Sequence, residues 1–422
     1  MARHTTLSAT HPMSIAALPT LLVFSAAAVA PVLGMRLRKL GLPAVVIELA
    51  LGVLLGPQVL AWVEINSTLE AMAGLGMAML FFLAGCEIDL PAIQGRPLRG
   101  ALSAWLLSLG LGMGLAWLGL QEGWLSGSTA ALVVGLAFSS TALGILVPML
   151  RDAEVLDSFF GRQVMAAGVV GELGPILLMS VLLSTRFGAG QQSLLVLAFL
   201  LLVLLLAWAL ARRVRIPRYL QALQRALTQS SQLPVRIAML LLCLLAYLAE
   251  SFEIDLALGA LAAGMIVRVL TQDSPTHLLQ EKLDGIGFGF LVPIFFVCSG
   301  VKLDVAAVLG SASGWRLTGL CLAGLLLAHL PMFLLGLRRM PAREALGLSL
   351  LSATTLSLIV AMTGIARESG RMNSAEAGAL VMAGVLSVVL LPRLASFALR
   401  KVFKQPQPVA KHASPYTDQD GL

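Results

Sequence analysis

Charged side chains are scarce in this chain of 422 residues: they make up 12% of it, whereas 58% of the residues are hydrophobic. The mean hydropathy is +0.90. Because soluble globular domains carry about 25% charged residues, this composition excludes a water-soluble protein and predicts an all-α integral membrane protein. A long polar stretch that could form a second domain is also missing, so we expect one transmembrane domain over residues 1–404.

Cysteine and histidine are equally sparse, with four and five copies. Cys86, Cys243, Cys298 and Cys321 fall in or beside apolar runs, and their spacing matches neither a disulfide framework nor a zinc site. We interpret them as small core residues. Because the chain also lacks His/Glu metal-ligand spacing and a nucleophile motif, we expect neither an enzyme nor a bound cofactor.

The chain is instead rich in apolar runs of about twenty residues, each long enough to cross the roughly 30 Å hydrocarbon core of a bilayer. We count thirteen predicted transmembrane helices. They lie near residues 13–34, 43–61, 67–86, 98–120, 127–150, 161–184, 193–211, 235–250, 255–270, 284–301, 315–337, 342–366 and 375–398. The tail at 405–422 contains three prolines and is predicted to be a disordered cytoplasmic segment.

The distribution of basic residues predicts the topology, because Lys and Arg concentrate in cytoplasmic loops. With the N-terminus outside and thirteen spans, 23 of the 29 basic residues lie inside, together with the C-terminus. The pI of 9.6 then reflects contact with anionic lipid and not nucleic acid. The six outside are Arg3, Arg186, Lys302, Arg316, Arg367 and Arg371. The tryptophans are predicted to form an aromatic belt at the span ends; they are Trp62, Trp105, Trp117, Trp124, Trp208 and Trp315.

Glu172 stands out because it lies in the middle of the sixth span with no other charge near it in sequence. A charged side chain at the bilayer centre costs at least roughly 2.5–3.5 kcal/mol, so its presence there indicates a function. The preceding span is interrupted by three hydroxyl residues, Ser139, Ser140 and Thr141. These features predict a buried ion site with one titratable ligand, at which a monovalent cation and a proton compete because burial favours the neutral form of the acid.

An internal repeat supports this site. Ser140-Thr141 in the fifth span aligns with Thr354-Thr355 in the twelfth, at an offset of 214 residues, and Phe81 in the third span aligns with Phe295 in the tenth at the same offset. Seven spans separate each pair, so the two halves have inverted topology. Inverted repeats with polar breaks in matching helices are typical of secondary transporters, which bind substrate at the repeat interface.

The chain resembles bacterial cation:proton antiporters of the Kef-type sodium/hydrogen exchanger family over nearly its whole length. The motifs that carry the resemblance are Leu42–Pro57, Leu80–Asp89, Leu136–Leu150, Gly161–Leu178, Leu258–Arg268, Val292–Asp304 and Ser352–Ala366. The resemblance implies a homodimer in the bacterial inner membrane that exchanges Na⁺ or K⁺ for H⁺ and contributes to pH homeostasis. It also implies that two unwound helices, the fifth and the twelfth, cross beside the acid of the sixth span.

The same resemblance implies a domain division. Core helices are expected near 67–184 and 284–398, and dimerisation helices near 13–61 and 193–270, part of the latter serving as a linker helix. The chain departs from the family pattern in two places: many relatives carry Asp-Asp or Asn-Asp where Gly171-Glu172 stands, and a Lys or Arg where the eleventh span has His329. Because Gly171 stands in place of a second acid and His329 in place of a Lys or Arg, we expect electroneutral exchange.

Two further residues are candidates for a supporting role. Glu48 is a second acid within a span, and His329 is the only histidine within one, so either can contribute to pH sensing or charge compensation. Two alternatives to antiport stay open. One is a gated potassium efflux system of the same fold, and the other is a non-transporting membrane sensor for which Glu172 would be dispensable.

Overall fold

Apolar helices make up all the regular structure in the part of the chain that the computed structural model describes. The described residues are 17–36, 42–88, 94–156, 158–182, 189–214, 232–252, 254–271, 277–304, 308 and 310–399. The predicted disordered tail at 405–422 lies outside them.

Seventeen α-helices are described, together with one π-helical turn, Gly287–Leu291, between α11 and α12. In chain order they are α1 Ala17–Arg36, α2 Ala44–Leu55, α3 Ser67–Glu87, α4 Arg96–Gln121, α5 Ser128–Phe138, α6 Leu143–Asp152, α7 Phe159–Leu182, α8 Ala189–Val214, α9 Leu233–Ser251, α10 Leu256–Thr271, α11 His277–Ile286, α12 Val292–Lys302, α13 Ala312–Ala328, α14 Leu330–Gly336, α15 Ala342–Ser352, α16 Ser357–Glu368 and α17 Ser374–Ala398.

The predicted spans are confirmed as apolar helices. Within the described ranges, ten continuous or slightly broken helices are long and apolar enough to cross a membrane, and three shorter apolar helices, α2, α5 and α10, accompany them. These thirteen segments coincide with the thirteen apolar runs of the sequence. α5 is short because its span continues, after a break, as α6.

The two predicted helix breaks are present. α5 gives way to α6 at residues 139–142, and α15 gives way to α16 at residues 353–356, so the breaks begin 214 residues apart. Hydroxyl groups favour the break: the Ser139 and Ser140 hydroxyls donate to the carbonyl oxygens of Leu136 (2.9 Å) and Ala137 (2.7 Å). Such local side-chain bonds compete with the next turn of helix.

The helices pack in two groups. α4–α7 and α13–α17 contact one another around the breaks, and we call them the crossing bundle. α1–α3 and α8–α12 form the flanking bundle, in which α3 packs against α10 and α2 against α12. Glycines allow these last two pairs to approach closely: a Cβ on Gly52 would overlap the Val297 carbonyl, and one on Gly264 would overlap the Phe82 carbonyl.

The prediction of a tryptophan belt is wrong for Trp105. The other five tryptophans are 42% to 57% exposed, as a belt requires, but Trp105 is only 6% exposed. Its indole N–H donates to the Ser139 carbonyl (3.1 Å), and its ring packs against Gly174 of α7. A buried indole needs a hydrogen-bond acceptor, and the open carbonyl at the end of α5 provides one.

Candidate ion-binding site

The two broken helices cross at their breaks and are held together by backbone and hydroxyl groups. The Ala142 N–H donates to the Thr354 carbonyl (3.0 Å), and the Thr141 hydroxyl donates to the Ser352 carbonyl (2.7 Å). The Thr355 hydroxyl lies 2.9 Å from the Ser140 hydroxyl, whose proton is directed at Ala137. Hydrogen bonds thus satisfy main-chain groups that the breaks release from the helices.

Glu172 lies beside this crossing, inside α7, with 3% of its surface exposed. Its Oε2 accepts a hydrogen bond from the backbone N–H of Leu143 (3.1 Å), the first residue of α6. Free N–H groups and the helix dipole make this end of a helix favourable for an anion. Among the described residues, no basic side chain forms an ion pair with Glu172.

Gly171 allows α7 to approach the first break. The Thr141 N–H donates to the Gly171 carbonyl (3.0 Å), and a Cβ at residue 171 would overlap the Thr141 hydroxyl. The position before Glu172 therefore has no room for a second acidic side chain unless Thr141 moves.

The structure brings the five predicted hydroxyl residues together at the crossing. Ser139, Ser140, Thr141, Thr354 and Thr355 are all fully or almost fully buried. Ser139, Ser140, Thr141 and Thr354 direct their hydroxyl protons at carbonyl oxygens, which leaves the lone pairs of their hydroxyl oxygens available as acceptors. Oxygen atoms of this kind, with a carboxylate, are the ligands that replace the hydration shell of an alkali cation.

Ser387 of α17 is a residue that the sequence analysis missed. Its hydroxyl accepts from the Thr355 N–H (3.2 Å) and donates to the Thr355 carbonyl (2.9 Å), so it secures the second break as Glu172 secures the first. The repeat offset could have identified it, because Ser387 lies 215 residues after Glu172 and the offset is 214. Trp105 had no such signal.

The two supporting candidates lie elsewhere. His329 is buried in the bend between α13 and α14, where its Nδ1 lies 2.9 Å from the Leu325 carbonyl and its own carbonyl accepts from the Ser349 hydroxyl (3.0 Å). Glu48 is buried in α2, which packs mainly against α1 and α12. The structure brings neither residue into hydrogen-bonding contact with Glu172.

Comparison with known proteins agrees with this architecture. The chain is 27% identical to the putative Na⁺/H⁺ antiporter YjbQ of Bacillus subtilis over 386 residues, which cover 87% of this chain and 60% of the length of that relative. It is 25% identical to the Na⁺/H⁺-K⁺ antiporter GerN of Bacillus cereus, over 85% of this chain and 90% of that relative.

A solved structure has the same fold. The sodium proton antiporter MjNhaP1 of Methanocaldococcus jannaschii superposes with a TM-score of 0.64 at 15% identity, covering 92% of this chain and 99% of its own. The family model for the transmembrane sodium/hydrogen exchanger matches residues 24–401. The chain is therefore a member of the sodium/hydrogen exchanger family.

Proposed function

We infer that this protein exchanges a monovalent cation, Na⁺ or K⁺, for protons across the membrane, with Glu172 as the site that both ions share. The observation that carries this proposal is the buried Glu172 carboxylate at the N-terminus of α6, beside the crossed breaks. The names of its relatives, which include Na⁺/H⁺ and K⁺ exchange, support the same class of substrate.

Coupling follows from the electrostatics of the site. A bare carboxylate is costly to move through a low-dielectric barrier, whereas the protonated acid and the cation–carboxylate pair are both neutral. The crossing bundle would carry the site between the two faces only when one of these ions is bound. Each transport cycle then exchanges one ion for the other by alternating access.

The stoichiometry that we propose is one cation for one proton. Gly171 leaves no space for a second acid, and no basic side chain among the described residues pairs with Glu172. Both loaded states of the site are therefore neutral, and the exchange is electroneutral.

The assembly and its orientation are also proposals. We expect a homodimer in the bacterial inner membrane with the N-terminus outside and the C-terminus in the cytoplasm, since this orientation places 23 of the 29 basic residues inside. In the dimer, the expected interface segments near 13–61 and 193–270 would belong to the flanking bundle, together with α3 and α12, which pack against α10 and α2, and the crossing bundle would be the mobile core.

A test uses everted membrane vesicles in which a pH-sensitive dye reports proton release when Na⁺, K⁺ or Li⁺ is added. We expect a response from the unaltered protein and none from Glu172→Gln, which keeps the shape of the side chain but cannot exchange a proton. Glu64→Gln is the matched control, because Glu64 is an exposed acid between α2 and α3. Full activity of Glu172→Gln would contradict the site, whereas a lack of exchange by the unaltered protein would favour the sensor alternative.

A further inference from the structure

A cluster of ion pairs joins the two bundles at the face where α3 begins and α12 and α16 end. Lys302 Nζ lies 3.1 Å from Glu70 Oε1 of α3 and 3.0 Å from Glu368 Oε1 of α16. The Arg367 Nη1 donates to the Lys302 carbonyl (2.7 Å). Lys302 and Glu70 belong to the flanking bundle, whereas Arg367 and Glu368 belong to the crossing bundle, so two of these three contacts connect the bundles.

The cluster borders two cavities. One, of about 330 Å³, and another, of about 170 Å³, are both bounded by Glu70, Ser299 and Lys302 on one side and by Val360, Gly364 and Glu368 of α16 on the other. The interface between the bundles is therefore open beside the ion pairs and is bridged at the ion pairs. Because α16 begins at the second break, this gap follows a helix that leads from the surface to the crossing.

Local helix stability explains three of the four charges but not Glu368. Lys302 and Arg367 lie in the last turns of their helices, where the helix dipole favours a positive charge. Glu70 lies in the first turn of α3, where the dipole favours a negative charge. Glu368 is the last residue of α16, where the dipole disfavours an acid. Its contact with Lys302 across the interface offsets this disadvantage, so the contact between the bundles accounts for its placement.

We propose that Lys302, Glu70, Glu368 and Arg367 form a latch that closes this face of the transport path and must separate when the crossing bundle moves. The side chains of Lys302, Glu70 and Glu368 are 34%, 61% and 64% exposed. Exposed ion pairs are weak, so the latch biases the equilibrium between open and closed states only modestly and releases readily during each cycle. The proposal deepens the antiport function proposed above and rests on it for its role in transport.

The native Cys298 reports on the latch without any transport measurement. It is 1% exposed, and it lines the smaller cavity one turn from Lys302. We expect Lys302→Gln and Glu368→Gln each to raise the labelling rate of Cys298 by a membrane-impermeant maleimide about two- to fivefold. Peptide mass spectrometry separates this signal from that of Cys243, which is exposed. High choline chloride, about 1 M, is expected to raise labelling of the unaltered protein because salt screens exposed charges.

Matched variants separate the latch from a general loss of structure. Arg316→Gln removes a positive charge from an exposed position at the start of α13 and is expected to leave Cys298 labelling unchanged. Lys302→Arg keeps the charge beside both Glu70 and Glu368 and should label like the unaltered protein. Melting temperatures of all variants identify any that are unfolded.

Unchanged labelling in folded Lys302→Gln and Glu368→Gln would overturn the latch, and so would an equal increase in Arg316→Gln. Cation–proton exchange is measured in the same membranes. If the unaltered protein exchanged no cations, the antiport function would be refuted. Raised Cys298 labelling in Lys302→Gln and Glu368→Gln would still support a charge-dependent closure of this face, so the two proposals fail in different ways.

Discussion

Within the described part of the chain, the Glu172 carboxylate accepts one hydrogen bond, from the Leu143 N–H at 3.1 Å. Glu172→Asp would draw the carboxylate back by about 1.5 Å, the length of one carbon–carbon bond. The acid is kept, but the charge-assisted hydrogen bond from Leu143 is weakened. We therefore expect exchange to continue with an apparent cation affinity that is lower by about tenfold or more. Dequenching measured against cation concentration in everted vesicles gives this value; an unchanged affinity would indicate that the position of the carboxylate is not critical.

Trp105 supports the first break by donating its indole N–H to the Ser139 carbonyl. Trp105→Phe retains a ring against Gly174 but leaves a buried carbonyl without its donor, which costs about 1–3 kcal/mol. We therefore expect a lower melting temperature in detergent.

Trp117→Phe is the control for Trp105→Phe, since Trp117 lies on the same helix and is 55% exposed. If both variants lowered the melting temperature equally, the hydrogen bond to Ser139 would not be the cause.

At the scale of the element, the close contact between α7 and the first break depends on Gly171. In Gly171→Ala the added methyl group would overlap the Thr141 hydroxyl, and overpacking of this kind costs about 1–3 kcal/mol. Because Thr141 also binds the Ser352 carbonyl, the displacement would reach the second broken helix. We expect a loss of most of the exchange activity together with a lower melting temperature.

Gly110→Ala tests whether any glycine-to-alanine change would have this effect. Gly110 lies on an exposed face of α4, and a Cβ there has no neighbour within 4 Å. Alanine also favours the helical conformation by roughly 0.5–1 kcal/mol over glycine. Normal activity of Gly171→Ala would show that the distance between α7 and the break is not critical.

For the molecule as a whole, the charges at the crossing are what the proposed one-for-one stoichiometry rests on. One acid binds one proton or one monovalent cation, and the described residues add no basic partner. We expect the rate of Na⁺/H⁺ exchange in liposomes to be independent of a membrane potential clamped with valinomycin. A net charge moved per cycle would gain about 2.3 kcal/mol per 100 mV, so a rate that rises with voltage would contradict electroneutral exchange.

His329 is the residue to replace if such a voltage dependence were observed. Its ring is buried in the bend between α13 and α14 and bonds to the Leu325 carbonyl. His329→Gln preserves a hydrogen-bonding group without a titratable ring. A voltage dependence that disappears in this variant would assign the additional charge to His329.

The amino-acid sequence alone was sufficient to predict the thirteen spans, the two breaks and the position of Glu172 within the sixth span. A bilayer requires long apolar helices, so a lone acid or a cluster of hydroxyl residues within one is conspicuous. The offset of 214 residues paired the breaks because both halves of the repeat meet the same packing requirements. The crossing of the two broken helices was implied by the family resemblance and not by hydropathy.

Which groups meet at the crossing depends on how the helices pack against one another. The bonds from Leu143 to Glu172, from Trp105 to Ser139 and from Ser387 to Thr355 join residues that are 29 to 34 positions apart, in different helices or breaks. The Lys302 ion pairs reach over 232 and 66 positions. Hydropathy identifies a helix but not its rotation about its own axis, which determines the helices that it contacts. Many apolar surfaces are compatible with the same bilayer. Close packing of specific side chains and glycines determines that rotation, and with it the site.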